Sequence, residues 1–468
     1  MRDVMKKLLA GTVCSLCMMA LHAQSVKTKL ETATTALLAD PQMKHAIMGM
    51  KVVNSETGEL VFELNPETGL APASCQKTIT SATAMELLGP GFQYKTEIGY
   101  DGYLSNNKLK GNIHITGYGD PTMGSWRYKN TRDSAIMRQL TQTLQARSIR
   151  QLKGALIGHT QKWETSTVPG GWPWDDIGNY YGAGTSALNW HENQFDIILN
   201  SGSQIGDSVY IVKSDPELYH VQLVSELTAA DKSSGDNSIV YTSPLSNRGY
   251  LRGTIPAGEQ AFVVAASMPD PPMQLLSAFA QGLAKAGMKP TSFNYTTEGV
   301  DTANYQSLYT YLSPTLDSIN YWFMKKSINF YGETLLKTIA YEKTGFGSTE
   351  KGLEIVKQFW KERGIDPTAL RMIDGSGLSP QNHITVDALV KVLQYARTRP
   401  WFSYYYDALP IYNNMKLKSG TIGAVKGFAG YHKAKDGTTY TVALLINNYS
   451  GSTNDIVKKM FVVLDELK

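Results

Sequence analysis

The sequence predicts an α/β fold of the α+β kind: an antiparallel sheet flanked by helices, with strands supplied by both ends of the chain. Three observations carry this. Ala46–Asn54 and Glu59–Leu64 read as paired strands around the turn Ser55-Glu56-Thr57-Gly58. Three more strands are expected at 414–422, 425–434 and 438–447, with Asp436-Gly437 as the turn between the last two. Helical periodicity dominates between these ends, except from about 98 to 298, where short strand patterns mark an insertion into the sheet domain.

Taken in order, residues 27–39 form a first helix. The hairpin follows, and then a helix opening at Pro72, whose missing N–H suits a first turn. Its apolar stripe is Ile79, Ala82, Met85 and Leu88. Short strands are expected from Thr96 to Met123, a helix over 133–147, a Gly/Trp/Tyr-rich stretch over 163–190, and short strands again over 205–266. Pro269-Asp270-Pro271-Pro272 precedes a helix from Met273 to Gly287. Further helices are expected over Ser318–Tyr341, Ser348–Arg363, Val386–Arg397 and Asn454–Leu467, with a loop at Asp374-Gly375-Ser376-Gly377-Leu378-Ser379.

A length of 468 residues suits about two or three domains. With 42% hydrophobic and 18% charged residues, the composition is that of a soluble globular protein. The net charge of +4, without a Lys/Arg run interleaved with aromatics, argues against nucleic acid. The first 23 residues read as a secretory signal: Arg2, Lys6 and Lys7, then the apolar run Leu8–Leu21, then Ala23 at a cleavage point. Polar Gln24, Ser25 and Lys27 follow at once, so removal is favoured over membrane anchoring. Cys14 and Cys17 fall within this segment. The mature chain then keeps only Cys75 and has no internal disulfide, which fits a periplasmic or secreted protein.

The chemistry starts at Ser74 and Lys77, three apart on one helical face. A hydroxyl near a helix N-terminus with a neutral amine in reach is the minimum for a serine nucleophile. Alone the pair is weak evidence. It gains meaning from Ser327-Ile328-Asn329, in a helical segment, and from Lys418-Ser419-Gly420-Thr421, on a strand. Ser-x-x-Lys, Ser-x-Asn and Lys-(Ser/Thr)-Gly, in that order, are the three boxes of the penicillin-interacting serine acyltransferases. In that chemistry Ser74 attacks a carbonyl, and the N–H groups of Ser74 and Thr421 hold the oxyanion. Ser327 relays a proton to the leaving amine, and Asn329 holds the substrate amide and Lys77. Lys418 favours the neutral form of Lys77 and attracts a substrate carboxylate, to which Ser419 and Thr421 offer hydroxyls.

The chain resembles the D-alanyl-D-alanine carboxypeptidase/endopeptidase family of low-molecular-mass penicillin-binding proteins, those of class C with a large insertion after the Ser-x-x-Lys helix. Besides the boxes, the resemblance rests on Gly117-Tyr118-Gly119-Asp120-Pro121-Thr122, Trp172-Pro173-Trp174-Asp175-Asp176, Tyr180-Tyr181-Gly182-Ala183, Ser186-Ala187-Leu188-Asn189 and Asp374–Ser379. It implies a DD-peptidase/β-lactamase-like transpeptidase domain over 24–97 and 299–468. It also implies two nested inserted domains, one of 98–120 with 205–298 and one of 121–204. The implied activity is cleavage of D-Ala-D-Ala termini or D-Ala-diaminopimelate cross-links through an acyl-serine, without metal or organic cofactor. The implied partners are peptidoglycan stem peptides and, as covalent inhibitors, β-lactams; peripheral membrane contact is compatible with this. The segment Ile411–Leu417 is shorter than the family's usual one.

Other readings are a β-lactamase or esterase on the same scaffold, or an inactive peptidoglycan-binding relative. Between Ser327 and Lys418 there is no Glu-x-x-Leu-Asn, and the second box opens with Ser rather than Tyr, which disfavours two β-lactamase classes. A zinc peptidase lacks its His-Glu-x-x-His, and an α/β-hydrolase lacks its Gly-x-Ser-x-Gly. Gly375-Ser376-Gly377 reads as a tight turn. Cys75 reads as a packing residue, and Trp172 and Trp174 as insertion core in preference to a sugar-stacking surface.

Overall fold

The computed structural model describes residues 26–301 and 304–468. The expected secretory signal, with Ala23, Cys14 and Cys17, lies outside them. The chain forms two compact units. The first takes residues up to Thr83, Lys357–Met372 and Pro380–Lys468; the second takes Ala84–Val356 and Ile373–Ser379.

The first unit is built on a six-stranded sheet. Its order is Leu60–Leu64, Ile47–Asn54, Thr439–Asn447, Val425–Lys433, Met415–Ile422 and Ile411–Tyr412, with every pair antiparallel. Both chain ends therefore meet in one sheet, in register Met50 to Leu444. Alternation sends Met48, Met50, Val52, Val442, Leu444 and Ile446 to one face. There they share a core with Leu30 and Leu37 of the helix at 26–38 and with Ile456, Met460 and Leu464 of the Thr453–Asp465 helix. Truncating a fully buried member such as Leu444 to Ala costs about 2–5 kcal/mol. The Val386–Arg397 helix, whose Leu393 carbonyl accepts from Tyr431 Oη at 2.7 Å, carries its own buried apolar row. The shortened segment before Lys418 folds as a tight hairpin. Asn413 and Asn414 both take positive φ (51° and 60°), the geometry of a two-residue type I′ turn.

The second unit centres on a mixed five-stranded sheet. Its order is Phe293–Thr296, Leu156–His159, Ile113–Gly117, Gln93–Tyr100 and Gln306–Thr315. The parallel pairs are spanned by crossovers that contain the Asp133–Ala146 and Pro271–Lys285 helices. Ile98, Ile113, Ile115, Leu140, Leu144, Leu275 and Phe279 fill the core. Residues 194–267 build further sheets around Phe195, Ile197, Leu199, Val240 and Leu251. The pairings do not follow the expected internal boundaries of the insertion. Ile113–Gly117 pairs with Leu156–His159 across 120/121, and Gln194–Ser201 pairs with Val209–Asp215 across 204/205. Hydrogen-bonded ladders, which composition does not reveal, join these segments.

Candidate active site

In the first unit, the approach to Ser74 is pinned to the sheet. Leu70 exchanges backbone hydrogen bonds with Ile384, at 3.1 and 2.8 Å. Asn447 grips Ala71 at both ends: its Oδ1 accepts from the Ala71 N–H at 2.8 Å, and its Nδ2 donates to the Ala71 carbonyl at 3.1 Å. Ala73 takes φ 44°, a left-handed conformation that costs a non-glycine residue about 1–3 kcal/mol.

Here the structure differs from the expected helix. Ala73–Gln76 is a 3₁₀ turn with Pro72 as its cap, and the α-helix is Lys77–Leu87. The tighter winding has a use, because side chains three apart eclipse one another in a 3₁₀ turn. Lys77 Nζ donates to Ser74 Oγ at 2.8 Å, and Lys77 is 0% exposed.

The Met415–Ile422 strand passes directly alongside. A Cβ on Gly420 would stand 2.6 Å from the Pro72 carbonyl oxygen and 2.9 Å from the Ser74 nitrogen, so only glycine lets the strand come this close. Lys418 is 1% exposed, and its Nζ donates to the Ser419 carbonyl at 2.8 Å. Burial pulls its pKa down to about 8; Cys75 opposes this and Lys426 adds to it. Cys75 is buried, and desolvation pushes its thiol up to about 11 against the pull of Lys418, Lys426 and Lys77. Ser419 is half-buried and Thr421 exposed. Ile411–Tyr412 pairs with this strand only as far as Lys416, and beyond it no strand of the described residues covers that edge.

In the second unit, the continuous helix expected over Ser318–Tyr341 is broken at the second box. Leu316–Lys326 ends on Ser327, which takes φ 57° and ψ 39° and caps the helix through its N–H to the Phe323 carbonyl. The left-handed residue breaks the hydrogen-bond ladder, and Asn329–Thr344 starts afresh. Ser327 thus stands at a joint, half-buried, instead of on a helix face. Asn329 Nδ2 donates to the Tyr181 carbonyl at 2.8 Å. Two residues further on, Tyr331 Oη donates to buried Glu192, which also takes Arg127 and Ser125.

Other recognisable segments of this unit are held by internal hydrogen bonds. Asp374 accepts from the N–H groups of Gly377 and Ser379, each at 2.7 Å, and from Trp172 Nε1 at 2.9 Å. Gly377 takes φ 84°, which makes Gly375-Ser376-Gly377 a tight turn. Trp172 is buried here, whereas Trp174 is 53% exposed and does not belong to a core. Asp120 binds the Thr122 N–H and hydroxyl, and burial raises its pKa to about 6. Among the described residues, no group of three or more His, Cys, Asp or Glu is placed to hold a metal ion.

The structure therefore gathers Ser74, Lys77, Lys418, Ser419, Gly420 and Thr421 within one unit, and carries Ser327 and Asn329 in the other. Sequence reasoning missed Asn447, Lys426 and the Tyr181 carbonyl. Asn447 and Lys426 lie in no motif, and Tyr181 lies in a recognised segment whose partner was not foreseen; each matters through a fold contact.

Compared with known protein families, residues 30–467 match the D-Ala-D-Ala carboxypeptidase 3 (S13) family. The chain belongs to this family. As an S13 member it is a serine-type D-Ala-D-Ala carboxypeptidase. It is 26% identical over 452 residues to the D-alanyl-D-alanine carboxypeptidase of Actinomadura sp. (strain R39), covering 91% of this chain and 82% of that one. It is 22% identical over 440 residues to D-alanyl-D-alanine carboxypeptidase DacB of Haemophilus influenzae, covering 88% and 87%. The crystal structure of penicillin binding protein 4 from H. influenzae superposes with a TM-score of 0.78 at 21% identity, over 91% of this S13 chain and 97% of the other. A second structure of that protein, in complex with a novel β-lactam, gives 0.72 at 20% identity over 90% and 95%. These likenesses show the fold. Among the described residues no helix is long and apolar enough to cross a membrane.

Proposed function

We propose that the protein is a peptidoglycan DD-carboxypeptidase and DD-endopeptidase that works through an acyl-Ser74 intermediate. The observation that carries this reading is the 2.8 Å separation of Ser74 Oγ from the amine of fully buried Lys77. Neutral Lys77 takes the Ser74 proton as Oγ attacks the carbonyl of the penultimate D-alanine. The N–H groups of Ser74 and Thr421 stabilise the oxyanion. As the C–N bond breaks, the proton reaches the leaving amine through Ser327, and Asn329 holds the substrate amide. Water then hydrolyses the ester and returns the proton to Ser74. Lys418 supplies positive charge, and Ser419 and Thr421 bind the leaving group's carboxylate. The close approach at Gly420 and the strand edge beyond Lys416, which no strand of the described residues pairs, support this reading, because an extended peptide can add there as a further strand.

In this reading β-lactams acylate Ser74 and stay attached. The catalytic domain takes 24–97 and 299–468, the residues between are insertion, and the mature enzyme is periplasmic or secreted after cleavage near Ala23. Purified cross-linked muropeptides test the activity. Release of monomers identifies the endopeptidase, release of D-alanine alone identifies the carboxypeptidase, and no Ser74-dependent product rejects both. The base is tested by the pH–acylation profile, which the Lys77→Ala substitution must abolish or reshape. An unchanged profile removes Lys77 from that role.

A further inference from the structure

Lys426 lies outside every motif, yet it stands directly opposite Thr421 in the antiparallel ladder. Direct partners in such a ladder share a face, as do residues two apart on one strand. Ser419, Thr421, Lys426 and Phe428 therefore line the same side of the sheet. Lys426 Nζ donates to Thr421 Oγ1 at 2.7 Å and lies 5.1 Å from the centre of the Phe428 ring. The side chain is half-buried, and desolvation works against its charge. None of the described carboxylates pairs with it.

A cation partly withdrawn from water without an anion is an unfilled electrostatic site. The hydroxyl beside it is set in a definite sense. An ammonium can only donate, so Thr421 Oγ accepts from Lys426 and its own hydrogen is left for an outside acceptor. Thr421 is exposed, so that acceptor comes from solvent. A carboxylate suits both members: it accepts from Thr421 and is attracted by Lys426.

We propose that Lys426 is a specificity-determining residue which, together with Thr421, recognises a carboxylate on the leaving group of the substrate. This rests on the reading of Ser74 as nucleophile. The preferred substrates then carry a free carboxylate on the departing residue, whether a terminal D-amino acid or a cross-linking diamino acid. Substrates amidated or esterified at that position are discriminated against.

The test uses two acyl-D-alanyl thioesters that differ only in the leaving thiol, one with a free carboxylate and one with its methyl ester. Initial rates give kcat/KM for the full-length protein and for the Lys426→Met and Lys426→Arg variants. Lys426→Met is expected to lose about 10–100-fold on the carboxylate substrate and less than about threefold on the ester. Lys426→Arg is expected to recover most of the loss. Equal losses on both substrates would mean that Lys426 only supports the strand, and no loss on either would mean that it is idle; each overturns the proposal. Turnover that survives Ser74→Ala would instead remove the nucleophile reading, and this proposal with it.

Discussion

Lys337 and Lys418, two of the buried lysines, lie in opposite company. Lys337, on the Asn329–Thr344 helix of the second unit, lies 3.1 Å from the Glu164 carboxylate and also donates to the Ser166 carbonyl. Burial lowers its pKa, and Glu164 works against that fall. Lys418, on the Met415–Ile422 strand of the first unit, has a carbonyl for a partner and a second cation, Lys426, nearby. The first arrangement fastens the 164–166 segment to a helix. The second puts positive charge where the fold gains nothing from it, and such a position is explained by chemistry. Burial of a lysine, then, does not by itself mark a site; the partner decides.

The largest expected effect separates the two roles. Lys418→Met should slow acylation by a labelled β-lactam about 10²–10³-fold, while raising stability at neutral pH by about 1–3 kcal/mol, because a buried cation that no described carboxylate faces is exchanged for an apolar side chain. Stopped-flow labelling and urea titration read the two quantities. A variant that loses stability instead would make Lys418 a second Lys337. Lys337→Met should cost about 3 kcal/mol in the same titration, since it strands a largely buried carboxylate.

A smaller effect appears in the pH dependence. Lys418 titrates near 8 in the folded chain, against about 10.4 when unfolded. Between these values the unfolded chain binds the extra proton, so this group makes stability rise with pH from about 8 to 10. Below 8 its cost is constant. The Lys418→Met protein should lose that rise, and thermal melts across the window check it. The smallest effect is the control: Lys351, exposed and paired with Glu354 on a helix surface, should change stability by no more than about 0.5 kcal/mol when replaced by Ala.

The parts legible in the sequence were those written in local pattern. Strand alternation and turn residues placed the hairpins at both ends, and their meeting in one sheet followed. The three boxes identified Ser74, Lys77, Ser327, Asn329 and Lys418–Thr421 as candidates, because motif residues can be read without a fold. The break at Ser327 was not legible. Phe323, Met324, Phe330 and Leu335 keep an apolar rhythm across it, and no glycine or proline marks the left-handed residue. The left-handed Ala73 was hidden for the same reason, and Asn447, which grips Ala71 two residues before it, comes from a strand far along the chain. Lys426 carries no signal at all until register places it opposite Thr421. The internal division of the insertion was not legible, because strand pairing, and not composition, joins its segments.

The central claim is that Ser74 becomes covalently acylated. Intact mass and peptide mapping after brief exposure to penicillin test it most directly. The account predicts one penicilloyl adduct per chain, on the peptide containing Ser74, absent from the folded Ser74→Ala protein. An adduct on another residue, or none on well-folded wild-type protein, would contradict it.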